Sequence, residues 1–184
     1  MSKTVLIVLA TGFEEIEAIT PIDVLRRAGL EVTIAGVGGR EITGSHGITV
    51  VTDTTIEEVE KLPDAIVLPG GMPGAENLAK SDTLREILKR MNDEGRSIGA
   101  ICAAPAVALA PTGILDGRMA TCYPGFESRF GGSIVFSGER VVADGNVMTS
   151  RGPGTAFEFA LALAERLAGG EVRKALTEGM LVKA

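Results

Sequence analysis

The chain has no tryptophan, one tyrosine, one histidine and two cysteines among its 184 residues. Each scarcity excludes something. With so few aromatics the core must be aliphatic, and an aromatic binding surface is not to be expected. One histidine and two cysteines cannot complete an ordinary zinc site without carboxylates. No stretch approaches the roughly 18 apolar residues of a membrane span. The formal charge of -6, with no basic stripe, argues against binding a phosphate backbone. Gly36-Val37-Gly38-Gly39 does not complete a dinucleotide fingerprint and opens no helix, and there is no Gly-Lys-Ser/Thr phosphate loop. Met1-Ser2-Lys3-Thr4 runs straight into an apolar strand without a signal-peptide pattern, so a reducing, cytoplasmic setting is expected.

What is present fits one globular domain, residues 1–184, with 45% apolar residues, 23% charged residues and 24 glycines for tight turns. Thr4–Ala10 reads as a strand buried on both faces, followed by a helix over Glu14–Ala28 that Pro21 should interrupt and kink. Glu31–Gly36 is the next strand. Gly38-Gly39 fits a hairpin turn into Glu41–Thr43, and Ile48–Val51 is a further short strand. Thr55-Ile56-Glu57-Glu58 has capping-box spacing. Ala65–Leu68 is a buried strand broken by Pro69-Gly70-Gly71, and Asp82–Glu94 is an amphipathic helix with Leu84, Ile87, Leu88 and Met91 on one face. Ile134–Phe136, Arg140–Ala143 and Val147–Thr149 read as a small antiparallel patch, ahead of helices over Thr155–Ala168 and Glu171–Leu176. Strand and helix alternate nearly throughout. That pattern predicts an α/β fold, a mostly parallel, doubly wound sheet sandwiched between helices.

The stretch Ser97-Ile98-Gly99-Ala100-Ile101-Cys102-Ala103-Ala104-Pro105 runs from strand to helix with no polar loop between. Such a turn pushes the side chain at its bend out of the carboxyl edge of the sheet, and small neighbours permit it. Cys102 is then either a reactive thiol, favoured as thiolate by the helix N-terminus, or a small buried hydrophobe. Three turns stand at strand carboxyl ends, Ala10–Glu17, Pro69–Ala75 and Ile101–Pro105, and a doubly wound sheet brings such ends to one crevice. Glu14 and Glu15 read as exposed first-turn residues, whereas Glu17, one turn further in, faces inward or is a solvated helix carboxylate. An ionised carboxylate beside Cys102 would raise the thiol's pKa. A protonated one would donate a hydrogen bond to sulfur and lower it. Gly70, Gly71 and the Ala103 amide could form an oxyanion hole, the alternative being that the Gly-Gly pair simply ends a strand. His46 reads as an exposed loop residue rather than a base. Tyr123 either lines the crevice or packs half-buried. Cys122 should face the opposite way from Tyr123 and reads as a buried inert thiol, with a resolving role as the alternative.

Together these residues resemble the DJ-1 group of the DJ-1/ThiJ/PfpI superfamily, over essentially the whole chain. The motifs are Gly12-Phe13-Glu14-Glu15-Ile16-Glu17, Asp23-Val24-Leu25-Arg26-Arg27-Ala28-Gly29, Val67-Leu68-Pro69-Gly70-Gly71, Ala100-Ile101-Cys102-Ala103-Ala104-Pro105 and Thr149-Ser150-Arg151-Gly152-Pro153-Gly154-Thr155. The resemblance implies a flavodoxin-like sandwich, a homodimer with active sites near the interface, no cofactor and no metal. It assigns the nucleophile to Cys102, its protonated partner to Glu17, and the oxyanion amides to Gly71 and Ala103. Tyr123 stands where many members carry a histidine, His46 where some carry a pocket-edge arginine, and Gly44 where some carry a second cysteine. The activity so implied is a glutathione-independent glyoxalase turning methylglyoxal into lactate, or a deglycase acting on early glyoxal adducts of proteins. A redox-sensing stress protein using Cys102 is the alternative, and a cysteine peptidase a third. The partner is accordingly a small carbonyl compound or a glycated protein, with no role for nucleic acid or membrane.

Overall fold

The β-branched and aliphatic run at the N-terminus forms the middle of a seven-stranded sheet. The structure, a computed structural model, describes residues 2–183. In chain order it contains β1 (Thr4–Ala10), α1 (Glu15–Arg27), β2 (Glu31–Val37), β3 (Glu41–Thr43), β4 (Thr49–Val51), β5 (Thr54–Thr55), β6 (Ala65–Leu68), α2 (Gly74–Lys80), α3 (Asp82–Asp93) and β7 (Ser97–Ile101). After a helical segment over Pro105–Thr112 come β8 (Met119–Ala120), β9 (Val135–Phe136), β10 (Val141–Asp144), β11 (Val147–Ser150), α4 (Ala156–Ala168) and α5 (Gly170–Gly179). The sheet order is β10-β11-β7-β6-β1-β2-β5, parallel except for β10 against β11. No helix is long and apolar enough to cross a membrane among the described residues.

Alternation along β1 divides the core. Val5, Ile7 and Leu9 face a layer with Val24, Leu25, Phe159 and Leu163, while Leu6, Val8 and Ala10 face Leu84, Leu88 and Met91. Each strand side chain is thus covered by a helix, which is why the run shows no polar alternation. The flavodoxin-like α/β arrangement expected from the sequence is what is found. From β1 the chain moves to β2 on one side and later returns to β6 on the other. The reversal opens a crevice at the carboxyl ends of these strands.

Several local expectations change. Pro21 lies buried inside an unbroken α1, whose packing along α4 holds the two halves of the helix together despite the missing hydrogen bond. The hairpin does not join β2 to β3. Instead β3 pairs with β4, Glu41 opposite Val51, and the turn is at Gly44–Ile48. The antiparallel patch is not separate either: β10 and β11 form one edge of the main sheet, with β11 parallel to β7, and β9 pairs in parallel with a β8 that ends at Ala120. Helix α2 follows the Pro69-Gly70-Gly71 break, where the sequence showed only a turn.

Candidate functional site

Strand β7 ends at Ile101, and the next residue takes a backbone angle few side chains accept. Cys102 has φ of 65°, one of two positive values among non-glycine residues described. This conformation costs roughly 1–2 kcal/mol, and both of its peptide groups are tied down. The Cys102 N–H donates to the Ser150 carbonyl at 2.9 Å, and its carbonyl accepts the Tyr123 N–H at 2.8 Å. A helical segment begins immediately after, with the Val107 N–H reaching the Ala103 carbonyl and the Ala110 N–H reaching that of Pro105. The sulfur is thereby held where the Gly71 and Ala103 N–H groups face it.

Glu17 arrives from the first turns of α1. Its carboxyl is wholly buried, with Oε2 accepting the Gly70 N–H at 2.9 Å and Oε1 making no hydrogen bond of ordinary geometry. A buried carboxylate with an orphaned oxygen is unfavourable, whereas a protonated one can turn its O–H toward the adjacent Cys102 sulfur. Burial accordingly raises Glu17 to about 8, against the opposing pull of its bonds to Cys102 and Gly70. The carboxyl therefore keeps its proton in most molecules near pH 7. Burial also pushes the Cys102 thiol up. An ionised Glu17 would add to that, while the Gly71 and Ala103 amides pull it down. Desolvation thus works against the thiolate anticipated from the turn alone. A neutral Glu17 removes the repulsion and adds a donor to sulfur.

Gly70 is needed for this contact. A Cβ there would lie 2.6 Å from Cys102 Cβ, 2.8 Å from Glu17 Oε2 and 2.9 Å from the Ala103 nitrogen, so any side chain would be driven between nucleophile and acid. Its amide is spent on Glu17, so Gly70 supports the acid rather than serving as an oxyanion donor. Gly71 and Ala103 remain for that role.

Glu14 and Glu15 are not exposed, contrary to expectation. Glu14 caps α1 by accepting the Glu17 N–H at 2.8 Å, and its own N–H donates to the Gly70 carbonyl at 3.0 Å, joining the loops after β1 and β6. Glu15 is buried beneath the β3–β4 turn, where it binds His46. Possible ligand atoms of Glu14, Glu15 and His46 fall within 4.8 Å of one another, but Glu14 Oε2 and both Glu15 oxygens already accept hydrogen bonds.

A cavity of about 340 Å³ lies over the sulfur, lined by Glu14, Ser45, His46, Gly71, Met72, Cys102, Ala103, Tyr123, Phe126 and Pro153. A second, of about 330 Å³, lies at the opposite ends of the strands among Val59, Leu62 and Pro63 and is lined by no cysteine. The structure brings Cys102, Glu17, Gly70, Gly71, Ala103 and Tyr123 together. Tyr123 is 43% exposed, with its ring edge-on to Phe126 at 6.3 Å. His46 is exposed as expected but stands in the cavity wall, and Ser45 and Phe126 join it there unannounced by any periodicity. Cys122 is fully buried and turned away from Tyr123, its thiol pushed up to about 12 by burial and by Glu127.

A family model described as the DJ-1/PfpI family matches residues 3–166. The chain belongs to the DJ-1/PfpI family. Among its relatives, the Danio rerio Parkinson disease protein 7 homolog is 43% identical over 188 residues, covering 98% of each chain. A Caenorhabditis elegans relative named glutathione-independent glyoxalase DJR-1.2 is 41% identical over 164 residues, 89% of this chain and 87% of its own. Of solved DJ-1 structures, that of oxidized Toxoplasma gondii DJ-1 superposes with a TM-score of 0.96 at 40% identity over the whole of both chains. Membership of the DJ-1/PfpI family and its fold are thus as the motifs implied.

The raised Glu17 has a stability signature. The folded chain retains a proton that the unfolded chain loses near 4.5, so stability present at low pH declines as pH rises from 4.5 to about 8. The slope is roughly 1.4 kcal/mol per pH unit at most. Glu17→Gln should remove this component in urea unfolding across that range, and parallel pH profiles for the two proteins would show that Glu17 is not held neutral.

Proposed function

We propose that this DJ-1/PfpI-type domain is a cofactor-independent glyoxalase acting on small 2-oxo aldehydes such as methylglyoxal. The observation that carries the reading is a wholly buried Glu17, kept neutral, beside Cys102 on the floor of an open cavity. The reacting form is the Cys102 thiolate paired with neutral Glu17. Sulfur attacks the aldehyde carbon, the C–S bond forms, and the carbonyl oxygen gains the negative charge under the Gly71 and Ala103 N–H groups. Glu17 supplies its proton to that oxygen, giving a hemithioacetal. The resulting carboxylate then removes the hydrogen from the former aldehyde carbon and returns a proton to the neighbouring carbon. The first carbon is oxidised as the second is reduced, leaving a lactoyl thioester. Water cleaves this to lactate and frees the sulfur, so the sum is methylglyoxal plus water giving lactate. Deglycation of early adducts is the same chemistry drawing on aldehyde in equilibrium with the adduct. Two free cysteines suit a reducing, cytoplasmic location.

A second reading has its own support. The groups that would stabilise a thiolate also fit a sulfinate, with the Glu17 O–H and two amides as donors. Two equivalents of peroxide would each deliver one oxygen and leave as water. A homodimer is proposed through the exposed Ile16 and Ile19 of α1 together with Ile48 and Val51 at the β3–β4 hairpin, an apolar face beside the cavity mouth.

Cys102→Ser should abolish lactate formation from methylglyoxal without glutathione, and Glu17→Gln should slow it about 100-fold or more; wild-type protein that makes no lactate ends the glyoxalase reading. Mild peroxide should add two oxygens to the intact mass, lost in Cys102→Ala, and an unreactive thiol removes the redox reading. Light scattering should give twice the chain mass, falling toward one chain in Ile16→Glu with Ile48→Glu; a monomeric wild type rules the dimer out.

A further inference from the structure

Glu15 is almost completely buried, yet the chemistry at Cys102 makes no use of it. A turn of the chain is folded around its carboxylate. Oε1 accepts the His46 N–H at 2.7 Å and lies 3.4 Å from the Ile48 nitrogen, while Oε2 lies 2.9 Å from His46 Nδ1 and 3.4 Å from Ser45 Oγ. The carboxyl presses so closely on Gly44 that a Cβ at that position would overlap it. The turn is further pinned by the Ser45 N–H donating to the Phe13 carbonyl at 2.7 Å. This is far more anchoring than an exposed loop histidine needs.

A carboxylate on Nδ1 fixes the imidazole: Nδ1 carries hydrogen and donates, and Nε2 becomes the outward-facing nitrogen. Among the described residues, the ring's hydrogen bonds are all made through Nδ1, so Nε2 is free. The ring forms part of the wall of the cavity that holds Cys102. The hydrogen bond that His46 donates to Glu15, the charge of Glu15, and that of Glu14 all raise the proton affinity of His46, and burial, the one opposing influence, is slight. Burial alone would raise Glu15, but the His46 ring and the N–H groups of the turn outweigh it and keep the carboxylate ionised. Besides His46, the titratable groups lining the cavity are Glu14, Cys102 and Tyr123. The second nitrogen of an oriented imidazole therefore stands free at the cavity wall, a charge-assisted donor whenever the ring is protonated.

We propose that His46, oriented by Glu15, binds the oxygen on the substrate carbon next to the one that Cys102 attacks. The site then selects electrophiles bearing oxygens on two adjacent carbons, 2-oxo aldehydes and 2-oxo acids, over simple aldehydes. His46 is the group that touches substrate, and Glu15 is a positioning residue acting through it. The assignment deepens the glyoxalase reading and rests on it for the identity of the substrate, but its test needs no turnover.

Iodoacetate and iodoacetamide present the same carbon to the sulfur and lose the same iodide as the C–S bond forms. They differ in whether the adjacent carbon carries a carboxylate or a neutral amide. The ratio of their rates at Cys102 therefore reads recognition of that neighbouring oxygen and cancels differences in thiol ionisation. At pH 6.5 the ratio should fall about tenfold in His46→Gln, and the wild-type ratio should itself fall as pH rises and the imidazolium is lost. Glu15→Gln separates a positioned donor from mere charge. Removing a negative charge beside the cavity would by itself speed the anionic reagent, whereas release of His46 slows it. A ratio unchanged in His46→Gln, or raised in Glu15→Gln, overturns the proposal. Should Glu15→Gln lose its fold, the surface change His46→Gln decides alone. Absence of lactate formation alongside a His46-dependent ratio would end the glyoxalase reading and leave this one standing.

Discussion

A single proton shared between a carboxyl and a thiol sets the terms for the rest of this molecule. Glu17 is removed from water completely, and a carboxylate there would leave one oxygen without a partner. The cheapest remedy is to keep the proton, and a retained proton beside sulfur is a hydrogen-bond donor aimed at a nucleophile. Three connections at strand carboxyl ends cooperate in that outcome. The first turn of α1, following β1, supplies the acid, the loop after β6 the Gly70 amide that holds it, and the turn after β7 the sulfur. Parallel strands with a reversal of order bring those connections to one place, so the sheet topology is a precondition of the chemistry.

Opposed effects are balanced closely at the sulfur. Burial raises the thiol, and an ionised acid would raise it further, while two backbone amides lower it. Neutrality of Glu17 turns the acid from opponent to supporter. The positive φ at Cys102 is sustained by the Ser150 and Tyr123 peptide groups on either side, a cost carried by the surrounding β-structure rather than by the loop itself.

Much of this could be read from the chain. The unbroken Thr4–Ala10 run, the strand-to-helix turn at Cys102 without polar residues, and the glycine pair after Ala65–Leu68 are local signals, and each corresponds to a local structural need. The partnership of Cys102 with Glu17 came from matching motifs, since pattern alone left Glu17 between an inward group and a solvated one. What stayed hidden depends on contacts between distant segments. Glu14 and Glu15 look like ordinary first-turn acids, and it is distant segments, the loop after β6 at Glu14 and the β3–β4 turn at Glu15, that meet them in the fold. The same turn carries His46 into the cavity wall. The Gly38-Gly39 pair suggested a hairpin, but the pairing follows Gly44–Ile48, whose turn is shaped around the Glu15 carboxylate. Helix α2 is short and follows Pro73 directly, so it offers too few turns for a periodic signal. Strands β10 and β11 are legible as antiparallel neighbours, whereas the attachment of β11 to β7 is a matter of sheet order, which no local pattern encodes.

The scarcity of aromatic residues has a practical side. With no tryptophan and a single tyrosine, nearly all ultraviolet emission of the protein comes from Tyr123, whose ring lies over the cavity against Phe126 and Gly152. The intrinsic fluorescence is thus a spectroscopic window on one spot, and a ligand entering above the sulfur must alter the surroundings of the molecule's principal emitter.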